Sequence, residues 1–166
     1  MARLAFLYKI LFSIAVLYLL IWVLKYLHIG FIKQLTPSMP EGWYFTYPVR
    51  NYVKGDDVVF IPGKVTEDYI LARKWLPEHI PLIKKIVGVP GDSLCIRKQM
   101  VFINGQKIAE VSRADNKGNL LPEFNFCAVI PEDKYFMQGV ANEHSFDSRY
   151  YGLIHKAQMM SKAVKL

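Results

Sequence analysis

The chain is short of the residues that thiol and metal chemistry require. Two cysteines, Cys95 and Cys127, occur in 166 residues, with no C-x-x-C spacing and no paired histidines close by. A zinc site is therefore not expected, and neither a metal nor a cofactor enters the reading. The two cysteines read as buried thiols, with a disulfide as the alternative if the domain lies outside the cytoplasm. Histidine is scarce too, at four residues, and acids are absent from residues 1–35, which hold Arg3, Lys9, Lys25 and Lys33. Beyond that segment the formal charge of +7 shrinks to 17 basic against 14 acidic side chains, alternating in sign along the chain. Such a surface lacks the concentrated basic face that phosphate backbones demand, so nucleic acid is not a partner. Repeats and low-complexity tracts are missing.

One long apolar run is present. Fifteen residues from Ile10 to Leu24 carry no charge, extended by Leu4–Tyr8 before Lys9 and by Tyr26–Ile32 after Lys25. Edge lysines snorkel, so about 20 residues can cross a hydrocarbon core about 30 Å thick. Tyr8, Trp22 and Tyr26 near its ends are placed as interfacial aromatics. Lys25-Tyr26-Leu27-His28-Ile29 offers no small-x-small cleavage site, which argues for an uncleaved anchor over a secretory signal. The basic residues favour the N-terminus inside. Residues 1–35 are therefore expected to form anchor and interfacial segment, and 36–166 one soluble domain.

Within that domain, short β-type runs alternate with turn signals. Val58–Ile61 lies between Gly55-Asp56-Asp57 and Pro62-Gly63, and Pro81–Gly88 is closed by Val89-Pro90-Gly91-Asp92. Ser93–Arg97 and Met100–Ile103 precede Asn104-Gly105, a type I′ hairpin signal, and Asn125–Ile130 and Lys134–Gln138 follow a polar loop over residues 112–123. Thr66 is a helix N-cap candidate for a helix over Tyr69–Leu76 that Pro77 stops. The fold class is mainly β with one short helix, a small hairpin and loop insertion around 97–128, and a single preceding transmembrane helix.

A candidate nucleophile stands just past the anchor. Ser38, in Thr36-Pro37-Ser38-Met39-Pro40, sits on backbone stiffened by two prolines. Its base is open between two readings. His144 with Asp147 would complete a triad, since order along the chain does not forbid it; His28, His79 and His155 have no such neighbour. Alternatively, Lys84 and Lys85 lie in an apolar strand and point to opposite faces, so one can be buried and lose its proton. An ordinary lysine-guarded edge strand gives the same pattern.

Taken together, Thr36-x-Ser38-Met39-Pro40 behind one apolar helix, Gly55-Asp56-Asp57-Val58-Val59, Lys84–Asp92 and Gly139…Ser145–Gly152 resemble, in order, the blocks of the type I signal peptidase family, the Ser/Lys-dyad serine proteases. The resemblance implies a signal-peptidase-like β-sheet catalytic domain in which Ser38 is the nucleophile and Lys84 the general base. It implies that the Thr36 hydroxyl joins the Ser38 backbone N–H in an oxyanion hole, that Ser145 orients the lysine, and that Asp147 and Arg149 form a bracing pair. Pro40 directly after Met39, with Glu41-Gly42-Trp43-Tyr44 following, is more similar to the TraF-type branch, the conjugative-transfer peptidases that mature pilin subunits, in some members with cyclisation. Val140 and Ala141 depart from the Asp-Asn usual after the glycine of the last block. The expected enzyme is a membrane-anchored endopeptidase of the bacterial inner membrane with its catalytic domain on the periplasmic side. It would cut prepilin-like precursors after small residues, beside type IV secretion or pilus components. A general leader peptidase and a non-catalytic anchored binding module are the alternatives.

Overall fold

The structure is a computed structural model that describes residues 2–27 and 29–166; His28 lies outside the described residues. Helix α1 (Ala2–Tyr26) runs 25 residues, about 38 Å at 1.5 Å per residue, with its apolar side chains exposed all round. By length and composition it is long and apolar enough to cross a membrane.

Among the described residues eleven strands follow, with two short α-helices and a 3-10 turn over Lys156–Gln158 between them. In chain order they are β1 (Gly30–Gln34), β2 (Gly42–Tyr47), β3 (Asp57–Phe60), helix α2 (Lys64–Ala72), β4 (Leu82–Gly88), β5 (Ser93–Arg97), β6 (Met100–Ile103), β7 (Gln106–Glu110), β8 (Phe126–Val129), β9 (Lys134–Gln138), helix α3 (Ser148–Tyr151), β10 (Ile154–His155) and β11 (Met159–Lys165). One antiparallel sheet of seven strands has the order β1-β2-β11-β3-β4-β9-β10, and a second of four has the order β7-β6-β5-β8. Gly88, at the end of β4, is where the sheets approach. A Cβ there would sit 2.7 Å from Ile130 Cδ1 and 2.9 Å from Ile103 Cδ1, so any side chain would have to push both methyls out of the junction. Leu94, Ile96, Val101, Ile103, Ile130 and Phe136 fill that junction.

The mainly β class stands, with differences of detail. Gly30–Gln34, grouped above with the anchor, is an edge strand paired with β2 from Gly30↔Thr46 to Gln34↔Gly42. The α2 helix starts earlier than Thr66 predicts: Gly63 is its N-cap, without a side-chain cap, because the Pro62-Gly63 turn launches the helix directly. It also ends earlier than Leu76. Lys74 turns to φ +55°, and the Lys74 and Trp75 N–H groups bond back to the Leu71 and Ile70 carbonyls, which closes the last turn. The single-turn α3 adds a second helix to the domain. Cys95 and Cys127 face each other across the β5–β8 ladder and are joined as a disulfide, which corrects the buried-thiol expectation; Cys127 is exposed.

Candidate active site

Ser38 reaches its position through the turn between β1 and β2. Met39 is fully buried against Tyr44, Val59, Ile83 and Ala163, and the Tyr44 hydroxyl donates to the Pro40 carbonyl at 2.8 Å. These contacts pin both sides of the serine. The Ser38 carbonyl accepts from Ala141 N–H at 3.2 Å, tying the turn to the loop after β9.

Lys84 arrives from β4. Alternation along the strand places Lys84 with Leu82 and Ile86 on the buried side, while Lys85 faces out to pair with Asp57 and donates to the Gly55 carbonyl at 3.0 Å. The Lys84 side chain is 4% exposed, and Nζ donates to Ser145 Oγ at 2.9 Å. Burial pushes the Lys84 amine down to about 8; the negative charge of Asp147 works against this and the Arg149 guanidinium works with it. A hydroxyl orients the amine without restoring its charge, as a carboxylate would.

Behind Ser145 lies a fully buried ion pair. Arg149 Nε and one terminal nitrogen grip Asp147 at 2.8 and 2.9 Å, and the remaining donors reach the carbonyls of Glu110, Glu143 and Ser145. All five guanidinium N–H groups are used, which a lysine could not reproduce. Asp147 also accepts from Gly139 N–H at 2.9 Å and caps α3 through Arg149 N–H, so the pair belongs to a helix cap and not to an extended segment. Gly139 is the pivot: a Cβ on it would fall 2.6 Å from Ser145 Cβ and 2.7 Å from the Ser38 carbonyl.

Thr36, Ser38, Lys84 and Ser145 line one cavity of about 640 Å³, together with Ile32, Ile83 and Leu121 among others. Asp147 and Arg149 sit behind its wall. The Thr36 hydroxyl lies 3.2 Å from Ser38 Oγ. The triad alternative fails, because Asp147 is engaged by Arg149 and Gly139 while half-exposed His144 lies 3.5 Å from Glu143. Sequence reading missed Gln34, whose amide donates to Thr36 and Ser38; its only signal was a polar residue at an inward position of β1.

A β-sheet domain places a serine and a buried lysine on one cleft, with a hydroxyl to orient the lysine, a grouping that can activate a serine without a histidine. The chain belongs to the signal peptidase family, peptidase S26, whose family model matches residues 4–166. Among its relatives are a signal peptidase I of Bacillus amyloliquefaciens, 36% identical over 89 residues that make up 49% of this chain and 48% of that one. A probable signal peptidase I-2 of Synechocystis is 29% identical over 119 residues, 71% of this chain and 49% of the relative. A signal peptidase I of Bacillus licheniformis is 28% identical over 138 residues, 76% of this chain and 67% of the relative. The chain thus spans about half the length of the first two and two thirds of the third. A crystal structure of a signal peptidase I from Enterococcus faecalis V583 aligns with a TM-score of 0.41 at 20% identity, covering 69% of this chain and 97% of that one.

Proposed function

We propose that the protein is a membrane-anchored Ser/Lys-dyad endopeptidase that cleaves exported, membrane-tethered precursors after small residues. The observation that carries this reading is the buried Lys84 amine, held by Ser145 on the cleft that Ser38 lines. Neutral Lys84 keeps a hydrogen for Ser145 and offers its lone pair to the Ser38 proton. Ser38 Oγ then attacks the scissile carbonyl, the Ser38 N–H and the Thr36 hydroxyl receive the oxyanion, and protonated Lys84 returns its proton to the leaving amine. Water, activated by the same lysine, hydrolyses the ester. If a substrate amine takes its place, the product is a new peptide bond and the ends are joined.

Membrane work is supported by α1 and by the sheet face beside it. Phe31, Leu35 and Trp43 are exposed on β1, β2 and the turn between them, and Phe45 stacks on Tyr47 and meets Phe31 at a tilt, a belt suited to a lipid interface. The Ser38-Met39-Pro40-x-Gly42-x-Tyr44 form supports a pilin precursor of conjugative transfer as the substrate, on the periplasmic face of the inner membrane. The signal peptidases I among the relatives favour a second reading, a general leader peptidase.

The test is processing of a co-expressed candidate precursor by the full chain. Ser38→Ala and Lys84→Ala each abolish it while the protein still inserts and folds, and normal processing by either variant overturns the dyad. Mass spectrometry of the product separates a linear product from a ring, which lacks one further water. Growth arrest on depletion would favour the leader peptidase; loss of conjugation alone favours the pilin enzyme.

A further inference from the structure

Gln34 ends β1 with its side chain turned inward, 8% exposed, where an amide is costly unless its hydrogen bonds are made. Its Nε2 lies 2.8 Å from the Thr36 carbonyl, 2.7 Å from Thr36 Oγ1 and 3.3 Å from Ser38 Oγ. A carbonyl oxygen only accepts, so the amide must present its nitrogen here and not its oxygen. That single fact makes Gln34 a donor to both hydroxyls around the nucleophile.

Because Nε2 only donates, Thr36 Oγ1 must accept from it, and a hydroxyl that accepts becomes the stronger donor, which favours the Thr36 hydrogen pointing at Ser38 Oγ, 3.2 Å away. Ser38 Oγ then accepts from Thr36 and, more weakly, from Gln34. Its own proton is turned away from both, toward the cleft that Lys84 lines. Without the amide, the Ser38–Thr36 bond is free to reverse, and the Ser38 proton is spent on Thr36 in place of the base.

We propose that Gln34 is a positioning residue of the nucleophile: through Thr36 it polarises the hydroxyl chain so that Ser38 releases its proton to Lys84 and Thr36 keeps a hydrogen for the oxyanion. The proposal rests on the reading of Ser38 as the nucleophile. On substrate arrival the Thr36 hydrogen turns from Ser38 Oγ to the carbonyl oxygen, which uncovers the lone pair that attacks. Gln34 holds Thr36 Oγ1 throughout.

The experiment acylates the full chain in detergent with a p-nitrophenyl ester of an Ala-x-Ala tripeptide. A bond forms from Ser38 Oγ to the acyl carbon, nitrophenolate leaves, and its burst gives an acylation rate separate from apparent affinity. Gln34→Leu and Gln34→Glu keep the volume but cannot donate. Each is expected to slow acylation about 100-fold with apparent affinity within about twofold, on the scale seen when one oxyanion donor is lost. A merely structural role would not predict the second arm. In a Thr36→Ala background Gln34→Leu should cost less than threefold more, because its target is gone. Acylation of both Gln34 variants within threefold of the parent, or losses that multiply in the double variant, overturns the proposal. A soluble, folded Gln34→Asn that restores at least a tenth of the rate supports it. If the parent chain carries no acyl group on Ser38 by mass spectrometry, the nucleophile reading falls, and this inference with it.

Discussion

A lysine held near 8 in a protein interior shapes both catalysis and stability. In the proposed dyad only the neutral amine can take the Ser38 proton, so kcat/KM should rise about tenfold per pH unit up to about 8 and then level, as a single base predicts. A profile flat from pH 6 to 9 would contradict a titrating Lys84. For stability the sign follows from proton counting. Between about pH 8 and the ordinary lysine value near 10.4, the unfolded chain binds a proton that the folded chain does not, so stability rises with pH across that window. Below pH 8 the folded protein carries a buried cation, which costs about 3 kcal/mol relative to an unshifted lysine. Lys84→Met, similar in volume and unable to ionise, should therefore abolish activity while raising the unfolding free energy at pH 7 by about 1–3 kcal/mol. A variant both inactive and less stable at pH 7 would contradict this account of the lysine.

Helix α2 and the loop that faces it form one wall of the cleft, held by Arg73. Its guanidinium donates to Asp115 at 3.1 Å and to the Leu120 carbonyl at 2.7 Å, and lies 4.2 Å from the centre of the Tyr69 ring. Tyr69 in turn stacks on Phe146, centroids 5.0 Å apart, next to Ser145. Arg73→Ala should release residues 112–121, raise KM for a peptide substrate about three- to tenfold with little change in kcat, and speed amide exchange in that loop. Unchanged KM would remove the loop from substrate binding. The helix and the loop of this wall were legible in the chain, but their joining was not, because it depends on partners about 40 residues apart. The run read over Pro81–Gly88 is strand Leu82–Gly88, and the Asn104-Gly105 hairpin stands as read, with Asn104 and Gly105 both at positive φ. Lys98-Gln99 makes the same kind of turn without glycine, so nothing local announced it. The strand β11, Met-Met-Ser-Lys-Ala-Val-Lys, lacks a branched run and is a strand because β2 and β3 flank it. Ser38, Lys84 and Ser145 were singled out through their sequence blocks and line one cleft, but Gln34 required the fold to turn it inward.

The molecule as a whole divides its stability between two sheets of unequal quality. The seven-stranded sheet carries the site and most of the buried side chains on β3, β4 and β9, whereas β8 exposes Cys127, Ala128 and Val129 and buries little. What holds β8 is its ladder to β5 and the Cys95–Cys127 disulfide, which closes a separation of 32 residues. In the chain-entropy description a closure of that length contributes about 3–4 kcal/mol. An exposed disulfide persists in an oxidising compartment and is reduced in the cytoplasm, so the bond has a use only on the extracytoplasmic side proposed above for this domain. Reduction, or the Cys95→Ala/Cys127→Ala pair, should therefore loosen β8 first. Amide protection should fall over Phe126–Val129 and the unfolding midpoint should drop by several degrees, while acylation at Ser38 stays within about twofold, because no catalytic group hangs on that edge. Loss of activity in step with reduction would show that the second sheet supports the site, and an unmoved unfolding midpoint would show that the ladder alone holds β8.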